Sequence, residues 1–203
     1  MGTINFTQNS FDYPQYTWAN RPSKALTGSI IIITDIGASD EFFTWTGTRW
    51  APLNGCIVVG QTNTSVSVTG TAAVTQMASI TVPGGLMGPN GILEVFHMWT
   101  YTNSANNKAI IVRMNGPSGT AFFSRGEQTT TFHQALTIIR NNNSVSAQKG
   151  PVISLSGGFG TSTGTESTGA INTGNNFDIY ASAQLTNTGE TITLQNIRVV
   201  YRE

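Results

Sequence analysis

The sequence predicts an all-β protein: an antiparallel, jelly-roll-like β-sandwich head, preceded by a small β-hairpin module and an extended N-terminal arm. Three observations carry this reading. Charged residues make up only 10% of the chain, against about 25% in ordinary globular proteins. Thr, Ser, Asn and Gly take their place, and these favour turns and strand faces over helices. Finally, short apolar runs alternate with period two between Gly, Pro and Asn turn signals, and no segment sustains Ala, Leu, Glu and Lys at helical spacing.

The 203 residues are enough for one domain with extra length, or two small ones. The pattern divides them into an arm over 1–27, a β spacer over 28–60 and a head over 61–203. In the arm, Phe6, Phe11, Tyr13, Tyr16 and Trp18 are scattered among Asn, Gln, Ser and Pro without a period. So many aromatics are costly to leave in water, so the arm reads as an extended peptide that docks on another protein or on its own oligomer.

In the spacer, 30–34 is a β-branched run that fits a buried strand. Residues 41–46 and 49–53 flank Gly47-Thr48 and read as a hairpin, with Trp45 and Trp50 able to pair across it. Asn54-Gly55 is a further turn, leading into a strand at 56–60.

The head is organised around 91–116, GILEVFHMWTYTNSANNKAIIVRMNG. It reads as two strands, 92–101 and 109–114, joined by a polar turn. In the first, Leu93, Val95, His97, Trp99 and Tyr101 form one alternate set, and Ile92, Glu94, Phe96, Met98 and Thr100 the other. Both sets are largely apolar, whereas a half-buried strand has one apolar face. Either the strand is fully buried within one chain, or its second face meets another copy. Further strands are expected at 66–68, 74–82, 121–124, 132–141, 145–148 and 177–185, and in a last strand whose alternation slips at Asn196, the mark of a bulge. The stretch 155–176, rich in Gly, Ser and Thr, has almost nothing to bury. It reads as a distal loop touching a ligand, or as a crossover.

Composition excludes several function classes. Ten basic and ten acidic residues balance, and without a basic cluster no nucleic-acid partner is expected. The single cysteine, Cys56, cannot form an intrachain disulfide and reads as a buried thiol in a protein made in a reducing cytoplasm. The start shows no signal peptide and no run is long enough to span a bilayer, so neither secretion nor membrane insertion is expected.

No catalytic residue, cofactor or metal site is expected. The match to G-x-S-x-G around Ser162 lies in low-complexity sequence, without the strand and helix that motif needs. His97 and His133 are the only histidines and supply at most half of a metal site. Of the carboxylates Asp35, Asp40, Glu41 and Glu94, the last lies among apolar neighbours and needs a partner; Arg113 on the following strand is the candidate for a structural ion pair. Trp99, Tyr101, Asn103, Asn106 and Asn107 gather at the end of the central hairpin and are the candidate ligand-binding set, although a turn would call for the same asparagines.

The stretch 34–55, TDIGASDEFFTWTGTRWAPLNG, resembles a β-structured spacer module of bacteriophage tail and fibre proteins. The pattern LMGPNGILEVFHMWTYTNSANNKAIIVRMNG, followed by GTAFFSR and IIRNNNS, is similar to the C-terminal domain of phage and prophage virion proteins. The resemblance implies a homotrimeric β-sandwich head and no catalytic residues. It implies a virion protein assembled in the host cytoplasm, attached to other virion proteins by its N-terminus. The expected function is a short tail fibre whose head binds a host-surface receptor, a glycan being the candidate. A capsid-associated head fibre or decoration protein is the alternative, and a glycan hydrolase a more distant one.

Overall fold

In a computed structural model the structure describes residues 13–37, 40–152 and 165–203. Apart from a 3-10 turn at Trp18–Asn20, the regular elements are strands. The chain is an all-β sandwich with a small sheet packed against one end.

The small sheet comprises β1 (Gln15–Tyr16), β2 (Ile30–Ile33), β3 (Glu41–Trp45) and β4 (Trp50–Pro52), hydrogen-bonded in that order. β1 runs parallel to β2, with Gln15 opposite Ile32. β3 and β4 form the expected hairpin, with Trp45 directly opposite Trp50 and their rings edge to face at 5.4 Å. Ile31, Ile33, Ile36 and Phe43 are buried beneath this sheet and belong to the same core cluster as the head.

The next strand, β5 (Cys56–Thr62), leaves the spacer and pairs with the last strand of the head. The remaining strands are β6 (Val66–Val68), β7 (Thr75–Val82), β8 (Ile92–Tyr101), β9 (Lys108–Met114), β10 (Thr120–Glu127), β11 (Phe132–Asn141), β12 (Gln148–Val152), β13 (Thr165–Gly169), β14 (Phe177–Leu185) and β15 (Ile192–Arg202). One sheet has the order β10-β9-β14-β7. The larger has the order β13-β12-β11-β8-β15-β5, with β6 also on β15. Connections β7 to β8, β8 to β9, β10 to β11, β13 to β14 and β14 to β15 all cross between the sheets, which closes one core between them.

The two strands read as a central hairpin are therefore not paired. Both edges of β8 are taken, by β11 and β15, so β9 turns the corner and pairs with β10 and β14. The corner is held by Lys108, whose buried ammonium donates to Ser104 Oγ at 2.9 Å, to the Asn106 carbonyl at 2.7 Å and to Glu190 at 3.1 Å.

Bulges set which side chains enter the core. In β15 the register with β8 shifts between Leu194 and Asn196, at the predicted slip. In β10 a shift between Ala121 and Phe123 lets consecutive residues, Phe122 and Phe123, both be buried. Residues 165–169, part of the stretch read as a distal loop or a crossover, form the edge strand β13 opposite β12. Their polar sequence, TESTG, suits an edge with little to bury.

Candidate functional site

The outer face of the larger sheet is the candidate interaction surface. On β8 the set Leu93, Val95, His97, Trp99 and Tyr101 is buried, while Ile92, Glu94, Phe96, Met98 and Thr100 are half-buried on the other face. Register extends that face across the sheet. Leu136 of β11 lies opposite Phe96, Ile138 opposite Glu94 and Phe132 opposite Thr100. On the other side Val200 lies opposite Glu94 and Arg198 opposite Phe96. Phe132, Leu136 and Ile138 are 47%, 48% and 40% exposed, so one strand presents three large apolar side chains to solvent on one side. Ion pairs lie among and beside them: Arg202 meets Glu94 at 2.8 Å, and Glu166 meets Lys149 at 2.9 Å and Arg140 at 3.7 Å. Cys56 is half-buried in β5, opposite Arg202, rather than fully buried as expected.

The predicted ligand-binding set does not form a surface. Trp99 is fully buried and Tyr101 nearly so, because their alternate set is the one that faces the core. The asparagines do loop work. Asn106 donates to Glu190 at 2.6 Å, and the Asn107 carbonyl accepts from the Thr186 hydroxyl at 2.8 Å. Asn103 is exposed beside them. The hydrogen bonds from Asn106 and, at 2.5 Å, from Ser104 hold the Glu190 carboxyl below its usual range. The Glu94–Arg113 pair does not form either. Glu94 pairs with Arg202, while Arg113, in the facing sheet, donates to the Gly119 carbonyl at 3.3 Å.

The predicted docking aromatics divide. Phe6 and Phe11 lie outside the described residues, as do Ser162 and its GTSTG motif. Tyr13 meets Phe42 edge-on at 5.6 Å and Tyr16 lies in β1. Trp18 is only 6% exposed; it packs on Phe43 at 5.3 Å, and its indole N–H donates to the Gly84 carbonyl at 2.8 Å. These three side chains, read as part of an arm, are built into the small sheet because β1 adds to the edge of β2.

The two histidines do meet, with ring centroids 6.5 Å apart, and both rings lie against that of Phe123. His133 Nδ1 lies 3.0 Å from Glu127, which also pairs with Arg125. Burial, reinforced by Arg125 and opposed by Glu127, lowers the pKa of His133. Burial, with Glu127 adding to it, raises that of Tyr101. Among the described residues no group of three His, Cys, Asp or Glu converges as metal ligands would.

A cleft of about 350 Å³ opens where the small sheet meets the head, lined by Trp18, Arg21, Trp45, Thr48, Arg49 and Trp50 among others. The Arg21 guanidinium lies 3.6 Å from the centre of the Trp18 ring and donates to the Trp18 carbonyl. Both terminal nitrogens of Arg49 reach the Tyr201 hydroxyl at 3.1 Å, and one meets Glu203 at 2.5 Å. Gly88 makes room for Arg49: a Cβ there would come within 2.8 Å of the guanidinium carbon. The residues of this cleft were visible in the sequence as Trp18, Arg21, Trp45, Arg49 and Trp50. They were divided between an arm and a hairpin, and nothing in the spacing joined them.

No protein-family model and no curated protein matches the chain. Among solved structures, the CBM2 module of the Lactobacillus casei BL23 phage J-1 evolved Dit is similar at 10% identity and a TM-score of 0.35, over 60% of this chain and 67% of that one. The infectious bursal disease virus VP2 subviral particle is similar at 11% identity and a TM-score of 0.32, over 90% of this chain and 50% of that one. The Gt strain of the same virus is similar at 12% identity and a TM-score of 0.30, over 90% of this chain and 48% of that one. The chain thus spans about half the length of these two viral chains.

Proposed function

We propose that the chain is a virion structural protein, a short trimeric phage tail fibre that binds a host-surface glycan and catalyses no reaction. The observation that carries this reading is the outer face of β8 and β11. Phe96, Met98, Phe132, Leu136 and Ile138 make an apolar patch there, of the kind that marks an interaction site. Its occupant is the same face of two further copies. The chain carries no net charge to oppose self-association. Of the charges on and beside this face, Glu94, Arg202, Glu166, Lys149 and Arg140 are already paired within the chain, while Arg198, exposed opposite Phe96, has no ion pair among the described residues. The apolar side chains between these charges gain by being covered.

Three heads around one axis would multiply a weak glycan affinity by avidity. Attachment to other virion proteins falls to residues ahead of β1, Phe6 and Phe11 among them, since Tyr13, Tyr16 and Trp18 serve the small sheet. The virion is the place of action, with assembly in the host cytoplasm.

The test is the solution mass of the full-length protein by light scattering. Three times the chain mass supports the fibre. A monomer at all concentrations overturns the trimer and leaves the outer face to another partner.

A further inference from the structure

We propose that Lys108 and Asn106 join by a spontaneous isopeptide bond at the corner between β8 and β9, with Glu190 moving the protons. One carboxylate already holds both nitrogens. Lys108 Nζ lies 3.1 Å from Glu190 Oε2, and Asn106 Nδ2 lies 2.6 Å from Glu190 Oε1. The amine also donates to the backbone carbonyl of Asn106 itself at 2.7 Å, which places it against the residue whose side-chain carbon it must reach. The two residues stand two apart where the chain enters β9, a spacing that sends side chains to the same side of extended backbone. Lys108 is fully buried and Glu190 is 5% exposed. In such a dry site an ion pair loses much of its advantage over the neutral pair made by one proton transfer, and a neutral lysine amine is a nucleophile. Asn106 is exposed, so a leaving group has a way out.

The step balances without a co-reactant. Glu190 Oε2 takes a proton from the Lys108 ammonium, and the freed lone pair attacks Asn106 Cγ to form the new C–N bond. Glu190 Oε1 hands a proton to Nδ2 and the Cγ–Nδ2 bond breaks. Ammonia leaves and carries off the second proton from Nζ as ammonium, while Glu190 ends as it began. A carboxylate with one oxygen on the nucleophile and the other on the leaving group is placed for this acid–base work. The hydrogen bonds from Asn106 and Ser104 that keep Glu190 ionised oppose the first proton transfer, so the bond follows folding slowly. The product closes a ring across Asn107 and ties an exposed loop residue to the buried start of β9. With a single cysteine in the chain, it is a covalent tie that needs neither a second thiol nor an oxidant.

The experiment is intact mass spectrometry of the full-length protein, freshly purified and after one week at room temperature, followed by tryptic peptide mapping. The expected species is lighter than the sequence mass by one ammonia, and its share grows with age. The loss should map to a peptide in which trypsin does not cut after Lys108, because an acylated lysine is no substrate. Asn106→Ala and Glu190→Gln should both keep the full mass. Asn106 is exposed, so the first variant tests the bond even where the second disturbs folding. Aged wild type that retains its full mass, or that trypsin cuts completely after Lys108, overturns the proposal. An ammonia loss that persists in either variant does the same. So does a loss that maps instead to Asn54, Asn90 or Asn115, each followed by glycine, where it marks a succinimide.

Discussion

Trp99 donates its indole N–H to Nδ1 of His97 at 2.8 Å, from two residues further along the same strand and the same inward face. That bond fixes the tautomer. Nδ1 must accept, so Nε2 carries the hydrogen and faces Thr137 Oγ1 at 3.2 Å. A second proton on Nδ1 would set two N–H groups against each other in a dry core.

The consequence is a pH-dependent stability with a defined sign. Burial first, and His133 second, push the His97 pKa down from 6.5 to about 3. In the unfolded chain it titrates near its ordinary value, so below that point the unfolded state binds more protons. Stability is complete above pH 6.5 and is lost as pH falls towards 3, by up to about 1.4 kcal/mol per pH unit from His97 alone. His133 is shifted in the same direction and adds to the effect. Denaturant titrations at pH 7, 6, 5 and 4 measure it. His97→Gln, which keeps an acceptor for Trp99, should flatten the slope; an unchanged slope would place the titrating group elsewhere.

Leu136 tests the outer face. It is 48% exposed and lies opposite Phe96, so Leu136→Asp should change the stability of an isolated chain by no more than about 0.5 kcal/mol. In a trimer closed through this face the same carboxylate would be buried without a partner. We expect the solution mass to fall to that of one chain with the circular dichroism of the wild type. A trimer that survives Leu136→Asp would put its interface on another surface.

Much of this fold is legible before any coordinates. The bounds of β8, β11 and β14 follow from period-two alternation between turn residues, and the phase slip at Asn196 marks the bulge. The orientation of β8 is not legible, because both of its alternate sets are large and apolar. Its register with β11 decides it, through the buried Thr137 and Ile139 on one side and the exposed Leu136 and Ile138 on the other. The hairpin expected at 92–114 failed for a related reason. A polar turn between two strands looks the same whether the strands pair or turn a corner, and the occupancy of both β8 edges is a long-range fact. Trp18 was hidden because its hydrogen-bond partner, Gly84, lies 66 positions away.

Trp18 should therefore behave as a core residue rather than as part of a free arm. Trp18→Ala removes a side chain packed on Phe43 and leaves the Gly84 carbonyl without its donor. A loss of about 3–5 kcal/mol is expected, seen as a lower midpoint in chemical denaturation. A variant that unfolds with the wild type would show that 15–20 contributes nothing to the fold.

Asn141 offers the opposite pH signature. Its amide is buried at the end of β11, and Nδ2 lies 2.8 Å from the Gly88 carbonyl, 2.9 Å from Thr173 Oγ1 and 3.2 Å from the Met87 carbonyl. Its Oδ1 accepts from Gln148 Nε2 at 2.8 Å. One side chain thus ties the loop before β8, which backs the Trp and Arg cleft through Gly88, to β12 and to the approach to β14. Asn141→Asp keeps the shape but turns the donor into an acceptor facing three oxygens. The carboxylate is disfavoured there, so its folded-state pKa lies above the unfolded value. The stability difference from wild type should be about 3 kcal/mol or more at pH 7.5 and shrink as pH falls and the acid becomes neutral and able to donate once. Taking the difference at each pH removes the histidine contribution common to both proteins. A difference that stays constant from pH 7.5 to 4.5 would mean that the donor role of this amide is not what joins these segments.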